Sequence, residues 1–338
     1  VYTFEPFETT RVRVRRFADK DADALHAYRN DPAVNRYQLW TDQDRTSIGR
    51  FVHIQAEQPV KVGMWLQLAL ADKTSDALLG DVAFRLHADG DDVDTVSAEI
   101  GFSLAAAHQG KGYMTEALQG LLMYLFGLPV RRVFAQSDAR NHASQRVMAR
   151  AGLRPEAHFV ADYYAKSEHT SSTHYGLLAH EWHYRQQAGE VYLAPITMHN
   201  WREVAKLEVH PEQQPFVAAP TYYLALCQYG HLWQARSIVL NQDNQEQVIG
   251  MLMFAFDTDE EAIWLGGIII DKRFQGRGYA KAVLAGAFEY LGGFYGDCRN
   301  FALSYEPANQ LAKRVYASLG FQETGEREDD EVVARLRL

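Results

Sequence analysis

Cysteine, excess basic charge and long apolar runs are all scarce in this chain of 338 residues. Cys227 and Cys298 form one pair at most, and neither stands in a CxxC or Cys/His ligand spacing. That argues against a disulfide-stapled scaffold or a thiolate metal site, and points to a reducing compartment. Lysine and arginine number 34 against 43 acidic residues, a formal net charge of −9. A protein that grips nucleic-acid phosphates carries the opposite balance, so no nucleic-acid partner is expected. An acidic surface instead suits cationic ligands such as amines. The longest apolar stretches, 121–126 and 263–270, are far too short to span a membrane. Residues 1–16, which end in the alternating apolar and basic run RVRVRR, lack the apolar core expected of a targeting segment. The expectation is a soluble, cytoplasmic protein with no membrane partner. A hydrophobic content of 47% marks ordinary globular material, and the length fits two domains of about 150 residues each.

What the chain does have is an internal repeat at long period. Residues 109–118 read QGKGYMTEAL and residues 275–284 read QGRGYAKAVL. Residues 133–153 (VFAQSDARNHASQRVMARAGL) then align without a gap on 301–321 (FALSYEPANQLAKRVYASLGF). In that alignment Asn141 meets Asn309, Val147 meets Val315 and Gly152 meets Gly320. Two blocks in the same order at nearly the same offset indicate two copies of one fold, here expected over 1–186 and 190–338. The polar stretch RQQAGE at 185–190 is the expected linker.

Periodicity gives both halves one plan. In the first, an alternating strand at 11–17 precedes a helix capped by Asp19, and a second helix covers 42–56. Strands are expected near 64–71, 78–87 and 95–104, then a Gly-rich turn at 109–112 and a helix to 126. Strand 132–137, helix 141–151 and strands near 153–163 and 173–184 complete that half. The second half runs strand 191–196, helices near 199–209 and 219–228, and strands near 234–240, 247–256 and 262–270. A turn at 275–278, helix 279–291, strand 299–305, helix 309–319 and two closing strands follow. The fold class is α/β, in the α+β sense of a central mixed β-sheet flanked by helices, occurring twice.

A turn between strand and helix exposes backbone N–H groups at a helix N-terminus, an anion site by geometry and dipole together. Gly110, Gly112, Gly276 and Gly278 lack a Cβ, so a pyrophosphate can approach the backbone, and Lys111 and Arg277 add local positive charge. A Walker A loop needs Ser or Thr after Gly-Lys, which neither turn has. A dinucleotide fingerprint needs a third Gly where the chain has Thr115 and Lys281.

The pattern Q-x-x-G-x-G/A after a strand, with Asn opening a later helix that ends in Gly, resembles the GNAT superfamily of acetyl-CoA-dependent N-acetyltransferases. Gln275, Gly276, Gly278 and Ala280 match that signature fully, whereas Met114 replaces the final small residue behind Gln109, Gly110 and Gly112. AEIGFSL (98–104) with QGKGYMTEAL and NHASQRVMARAGL is similar to the branch that acetylates the N-terminal amine of ribosomal proteins. LAPITMHNWREV, HPEQQPFVA and FQGRGYAKAVL are similar to a branch with bacterial polyamine and small-amine acetyltransferases. The resemblance implies two tandem acyl-CoA N-acyltransferase domains, acetyl-CoA as co-substrate and no metal. It places the cofactor along a splayed strand, Ile100–Leu104 with Phe102 and Leu104 in one copy, and Gly267–Ile270 with Ile268 and Ile270 in the other. Tyr113 and Tyr279 open the helices behind the turns. Asn141, Ser144 and Asn309 either touch the cofactor's pantetheine arm or a bound water, or simply cap their helices.

Acetyl transfer needs a neutral amine. Deprotonating an alkyl ammonium at pH 7 costs about 4–5 kcal/mol, against about 1.4 kcal/mol for a peptide α-amine. Glu99, ten residues before Gln109, is the expected proton acceptor of the first copy. Leu265 stands at the matching place of the second, which must find another acceptor. Glu212 and the cluster Asp257, Asp259, Glu260 and Glu261 are candidates for gripping a cationic amine, with a solvated hairpin tip as the plain alternative for the cluster. By the family pattern, Tyr316 donates a proton to the departing sulfur, a role that Met148 at the matching place cannot fill. His169, His174, His180 and His183 fall in one stretch, but HEWH is not HExxH, and a strand there sets His180 and His183 on opposite faces. Two functional readings follow: an N-acetyltransferase acting by direct attack in a ternary complex, or a pair in which one copy, the N-terminal in preference, only binds acyl-CoA or braces the other. Two oligomeric readings also stay open, a homodimer or a tandem that replaces one.

Overall fold

A computed structural model describes residues 2–40, 43–89, 92–230, 232–243 and 245–338. The chain divides into two compact units, Val1–Trp182 and His183–Leu338.

The first unit holds β1 (Phe7–Glu8), β2 (Val12–Arg15), α1 (Ala22–Arg29), α2 (Pro32–Asn35), α3 (Arg45–Glu57), β3 (Trp65–Asp72), β4 (Leu78–Asp89) and β5 (Asp92–Leu104). It continues with α4 (Tyr113–Phe126), β6 (Val130–Asp138), α5 (His142–Ala151), β7 (Arg154–Ala165) and β8 (Glu168–Leu178). Its sheet has the order β1-β2-β3-β4-β5-β6-β8-β7, antiparallel except for the parallel pair β5/β6. The strand periodicity is physical: Val12 and Val14 of VRVR are wholly buried, while Arg13 and Arg15 alternate outward. Leu118, Leu121, Leu122 and Leu125 make the buried stripe of α4 that covers the sheet.

Helix α6 (Ala179–Gln187) contains the division between units. The second unit then holds β9 (Val191–Pro195), α7 (Trp201–Val204), α8 (Pro220–Tyr229), β10 (Gln234–Gln242), β11 (Gln245–Asp257) and β12 (Ala262–Ile270). After these come α9 (Tyr279–Gly292), β13 (Asn300–Tyr305), α10 (Gln310–Ser318), β14 (Gln322–Glu328) and β15 (Glu331–Arg337). The order β14-β15-β13-β12-β11-β10-β9 again has one parallel pair at its centre, β12/β13. Val283, Leu284, Ala287 and Leu291 bury α9 on it.

Several expectations about elements need correction. The last strand of the first half stops at Leu178 instead of reaching residue 184, because residues 179–187 turn helical. HEWH therefore lies on a helix, where His180 and His183 are one turn apart rather than on opposite strand faces. The first three residues of the expected linker close that same helix. The expected helix 199–209 shrinks to one turn, α7, followed by a separate 3-10 turn at Pro211–Phe216, which carries Pro211 and Pro215. Asp21, not Asp19, ties down the start of α1: its Oδ2 accepts from the Ala18 N–H at 2.8 Å and from Arg15 at 2.7 Å. Helix α3 begins at Arg45 behind its cap Asp44, which accepts from the Ser47 N–H at 2.7 Å, and the expected start at Asp42 lies outside the described residues. No helix of the described residues is long and apolar enough to cross a membrane.

Candidate active site

Each sheet opens at its parallel pair. Strands β5 and β6 are paired from Val96/Val130 to Glu99/Phe134, beyond which β5 runs on to Leu104 and β6 to Asp138 without cross-pairing. Strands β12 and β13 pair over Ile263–Leu265 and Phe301–Leu303 and then part in the same way. Among the described pairings, the parting leaves Phe102–Leu104 and Ile268–Ile270 without a strand partner on that side.

The second unit adds a bulge. Gly266 pairs with Met253 and Ile269 with Met251, so Gly267 and Ile268 together oppose Leu252 alone. Gly267 has φ +53°, and a Cβ there meets Met253 and Tyr223 at 3.1–3.3 Å, which only glycine avoids. In the first unit β4 and β5 stay in register from Gly80/Leu104 to Ala88/Val96, so this stretch of β5 is not bulged.

Behind each divergent strand the turn is built alike. Gly110 and Gly112 have φ +73° and +83°, Gly276 and Gly278 +76° and +81°. The second glycine of each pair is the N-cap of α4 or α9, leaving the first backbone N–H groups of the helix directed outward. A Cβ at Gly110, Gly276 or Gly278 would meet no atom within 4 Å, so space for a phosphate lies against the backbone. Gln109 donates from Nε2 to the Leu104 carbonyl at 3.0 Å, and Gln275 to the Ile270 carbonyl at 2.8 Å. The signature glutamines thus tie the turn to the last residue of the divergent strand. Lys111 and Arg277 fold back the other way, onto the carbonyls of Ala107 at 2.9 Å and Arg273 at 3.3 Å, and the described cavity linings include neither.

In the second unit one cavity of about 1800 Å³ joins these parts. Ile268, Ile270, Gln275, Gly276, Gly278, Tyr279, Ala280, Asn309 and Tyr316 line it, as does Asp257. Asn309 also caps α10, its Oδ1 accepting from the Ala312 N–H at 3.0 Å. Asp257 accepts from the N–H groups of Asp259 and Glu260 at 2.9 and 3.0 Å, which makes it the keystone of the β11–β12 turn as well as a wall residue. Glu260 is committed to Arg335 at 2.9 Å and to the Trp264 indole at 3.0 Å. Glu212 is exposed on the 3-10 turn and outside the described lining, where its neighbour Gln213 pairs with the Gln275 amide at 3.0 Å. The Tyr316 hydroxyl keeps its proton well past the ordinary phenol range, through burial first and then the charge of Glu331. Tyr223 and Trp233, aromatic residues with no motif around them, also line the cavity.

The first unit's cavity is smaller, about 400 Å³, and gathers Phe102, Leu104, Gln109, Gly110, Gly112, Tyr113, Met114, Asn141 and Ser144. Asn141 caps α5 by accepting from the Ser144 N–H at 3.1 Å. Arg146 and Arg150 of α5 line the same space and were not anticipated, although their i, i+4 spacing behind the cap places both on one helix face. Arg11 reaches the turn as well: its guanidinium donates to the Lys111 carbonyl at 2.9 Å and lies 4.7 Å over the Tyr113 ring. Glu99 stands outside the described lining. Its carboxylate accepts from Arg85 at 2.6 Å and lies 3.2 Å from His87 Nε2. Met148, the counterpart of Tyr316, is wholly buried in the core. Among the described residues no group of three or more His, Cys, Asp or Glu is placed to hold a metal ion.

Known proteins repeat the division. A family model described as "Acetyltransferase (GNAT) domain" matches residues 11–154, and one described as "Acetyltransferase (GNAT) family" matches residues 197–321. An uncharacterized N-acetyltransferase, YnaD of Bacillus subtilis, is 28% identical over 179 residues, 52% of this chain and 97% of its own length. The spermine/spermidine N(1)-acetyltransferase of the same organism is 26% identical over 137 residues, 39% of this chain and 87% of its own. A GNAT-family acetyltransferase crystal structure from Bacillus anthracis is 25% identical, covering 52% of this chain and 99% of that one, with a TM-score of 0.46.

Proposed function

The chain belongs to the GNAT acetyltransferase family, as two domains in tandem, and is an N-acetyltransferase; from that premise we propose that its second domain moves the acetyl group of acetyl-CoA to a small cationic amine. The observation that carries this reading is the single cavity that joins the Gly276–Gly278 turn, the bulged strand end Ile268–Ile270 and Tyr316. Phosphates suit the helix N-terminus behind the two left-handed glycines. The unpaired backbone past Gly266 suits the amide-bearing arm of the cofactor and orients its thioester. The amine's nitrogen then attacks the thioester carbon directly, the C–S bond breaks, and the sulfur leaves with the bond's electron pair. Tyr316 donates its phenolic proton to that sulfur, and the proton lost by the new amide nitrogen restores the phenol. Because burial keeps the phenol protonated, Tyr316 is present as a donor throughout the physiological range. Acidic residues around the cavity, and a spermine/spermidine acetyltransferase among the relatives, support a cationic acceptor.

A second reading applies to the first domain. Its Glu99 is engaged by Arg85, its Met148 is core, and its cavity is a quarter the size. These observations favour a domain that holds an acyl-CoA without completing a transfer, over one that acetylates a peptide α-amine. Acetyl-CoA titrated into the full chain, with thiol release followed over polyamines, aminoglycosides, amino acids and short peptides, tests both readings. Turnover of alkylamines that Gly278→Val removes, while Gly112→Val spares it, is the expected result. Turnover confined to peptides and lost with Gly112→Val reverses the assignment.

A further inference from the structure

One carboxylate in the second domain's cavity has been given no task. Glu331 opens β15 just after the Asp329–Asp330 turn and is half-buried, whereas Glu326, Glu328, Asp329 and Asp330 beside it are exposed. It lines the cavity together with Tyr316, Tyr223 and Ser304. Its Oε2 accepts a hydrogen bond from the Ser304 hydroxyl, and Ser304 is the penultimate residue of β13, on the arm that parts from β12. The carboxylate is therefore pinned to the wall of the opening, not carried on a free hairpin tip. Both Tyr316 and Tyr223 hold their protons more tightly partly because of its charge, which places it within electrostatic reach of the two phenols.

What surrounds Glu331 leaves it available. Glu328 faces it across the hairpin. The neighbouring cation Arg335 is divided between Glu260 at 2.9 Å and Glu326 at 3.1 Å. Among the described interactions, Ser304 is the partner that Glu331 has. This is the reverse of Glu99, which is bound to a guanidinium.

We infer that Glu331 accepts the proton that the cationic amine must lose before it attacks the thioester in the second domain. The inference rests on the function proposed above. An alkyl ammonium with a pKa near ~10.4 is neutral in only about one molecule in 2,500 at pH 7. Apolar walls, among them Phe216, Leu226, Leu232, Trp233 and Met253, disfavour the ammonium form once it enters. One N–H bond of the ammonium breaks, its proton passes to the Glu331 carboxylate, and the electron pair stays on nitrogen. That pair forms the new C–N bond, and Glu331 releases the proton to solvent past Glu328 and Asp329. The second amine proton replaces the one that Tyr316 gives to sulfur, so each turnover yields one amide, one thiol and one proton.

The full chain with spermidine as acceptor tests this. Glu331→Gln keeps the shape and an acceptor for Ser304, so acetyl-CoA affinity is expected within twofold of wild type. At pH 7 kcat is expected to fall about 10²-fold with KM changed less than threefold. The variant's kcat/KM should climb nearly tenfold per pH unit between 7 and 9, as free neutral amine accumulates, where the wild type stays flat. Added formate should restore turnover in Glu331→Ala. A loss confined to KM, parallel pH profiles or absence of rescue overturns the proton-acceptor role while leaving the alkylamine reading standing. A wild-type chain that does not acetylate spermidine overturns both.

Discussion

Positions 148 and 316 are equivalent in the two copies, and they divide the copies chemically. Met148 is sealed beneath α5 in the first core, while Tyr316 packs at 5.7 Å from Tyr305 and still lines a cavity. Around them the turn, the tying glutamine, the two left-handed glycines and the capping asparagine are the same in both domains. The difference teaches that the Gly-rich turn with its capping residues is separable from what stands at this helix position: the turn recurs in both domains, and the cavity-lining tyrosine occurs in one.

The sharpest way to break that comparison is at position 316 itself. Tyr316→Phe should lower kcat about 10²-fold, which is about 2.7 kcal/mol of barrier, with acetyl-CoA affinity unchanged because the ring packing survives. Met148→Leu should leave turnover of the full chain at wild-type level. Steady-state thiol release decides this, and equal effects of the two substitutions would erase the asymmetry.

Acidification should separate the domains next. Asp138 ends β6 and is held by Arg140 at 2.7 Å and Thr170 at 2.9 Å, so its carboxyl sits low, at about 2. A carboxyl depressed in the folded state stabilises it above the unfolded value near ~3.9, and that contribution is lost as pH falls toward 2. The Arg140 side chain is half exposed, and solvent screening reduces the gain to about 1–2 kcal/mol. Hydrogen exchange of the full chain between pH 6 and 3 should show the first domain loosening, and Asp138→Asn should flatten that slope. The second domain carries Glu306 at this place. A slope that survives Asp138→Asn would assign it elsewhere.

Gly112→Ala and Gly278→Ala each force a Cβ into left-handed backbone, at about 1–2 kcal/mol. The new methyl meets Arg11 at 3.2 Å in the first turn and open space in the second. Calorimetric titration should show acetyl-CoA weakened about tenfold in the substituted domain only. The smallest expected effect is at the caps, where Asn141→Ala and Asn309→Ala should each cost about 1 kcal/mol in local stability by amide exchange. Unequal losses would mean that one asparagine carries more than its helix.

The repeat made most of the fold legible, because Gly-rich turns and Asn caps depend on local backbone geometry that a short motif encodes. Alternation in RVRVRR and the apolar stripe of α4 were equally direct. The chain past Leu178 was misread because apolar and polar residues in AHEWHYRQQ fit a strand as well as a helix, and tertiary packing of Trp182 on Phe126 favours the helix. The cavity residues missed were of another kind. Glu331 lies in REDDEVV, which reads as a solvated hairpin tip, and only pairing of β15 with β13 turns it inward to Ser304. Glu99 was legible as a central-strand carboxylate, but its engagement by Arg85 comes from cross-strand register, which residue spacing along one strand does not contain.

The partings of β5 from β6 and of β12 from β13 amount to an edge placed inside a sheet. An outer edge invites strands of other chains, and proteins blunt it with charge, proline or cover. An inner edge is shielded from other chains by its own flanking strand, yet it remains an unfinished ladder that a narrow, amide-bearing ligand can complete. Binding then acts as the missing strand: it raises the free energy of opening the sheet in proportion to ligand saturation. The amides of Ile268 and Ile270, which face the parted side while Ile269 faces β11, should consequently slow their exchange when acetyl-CoA is present, giving a fingerprint of occupancy that needs no knowledge of the acceptor.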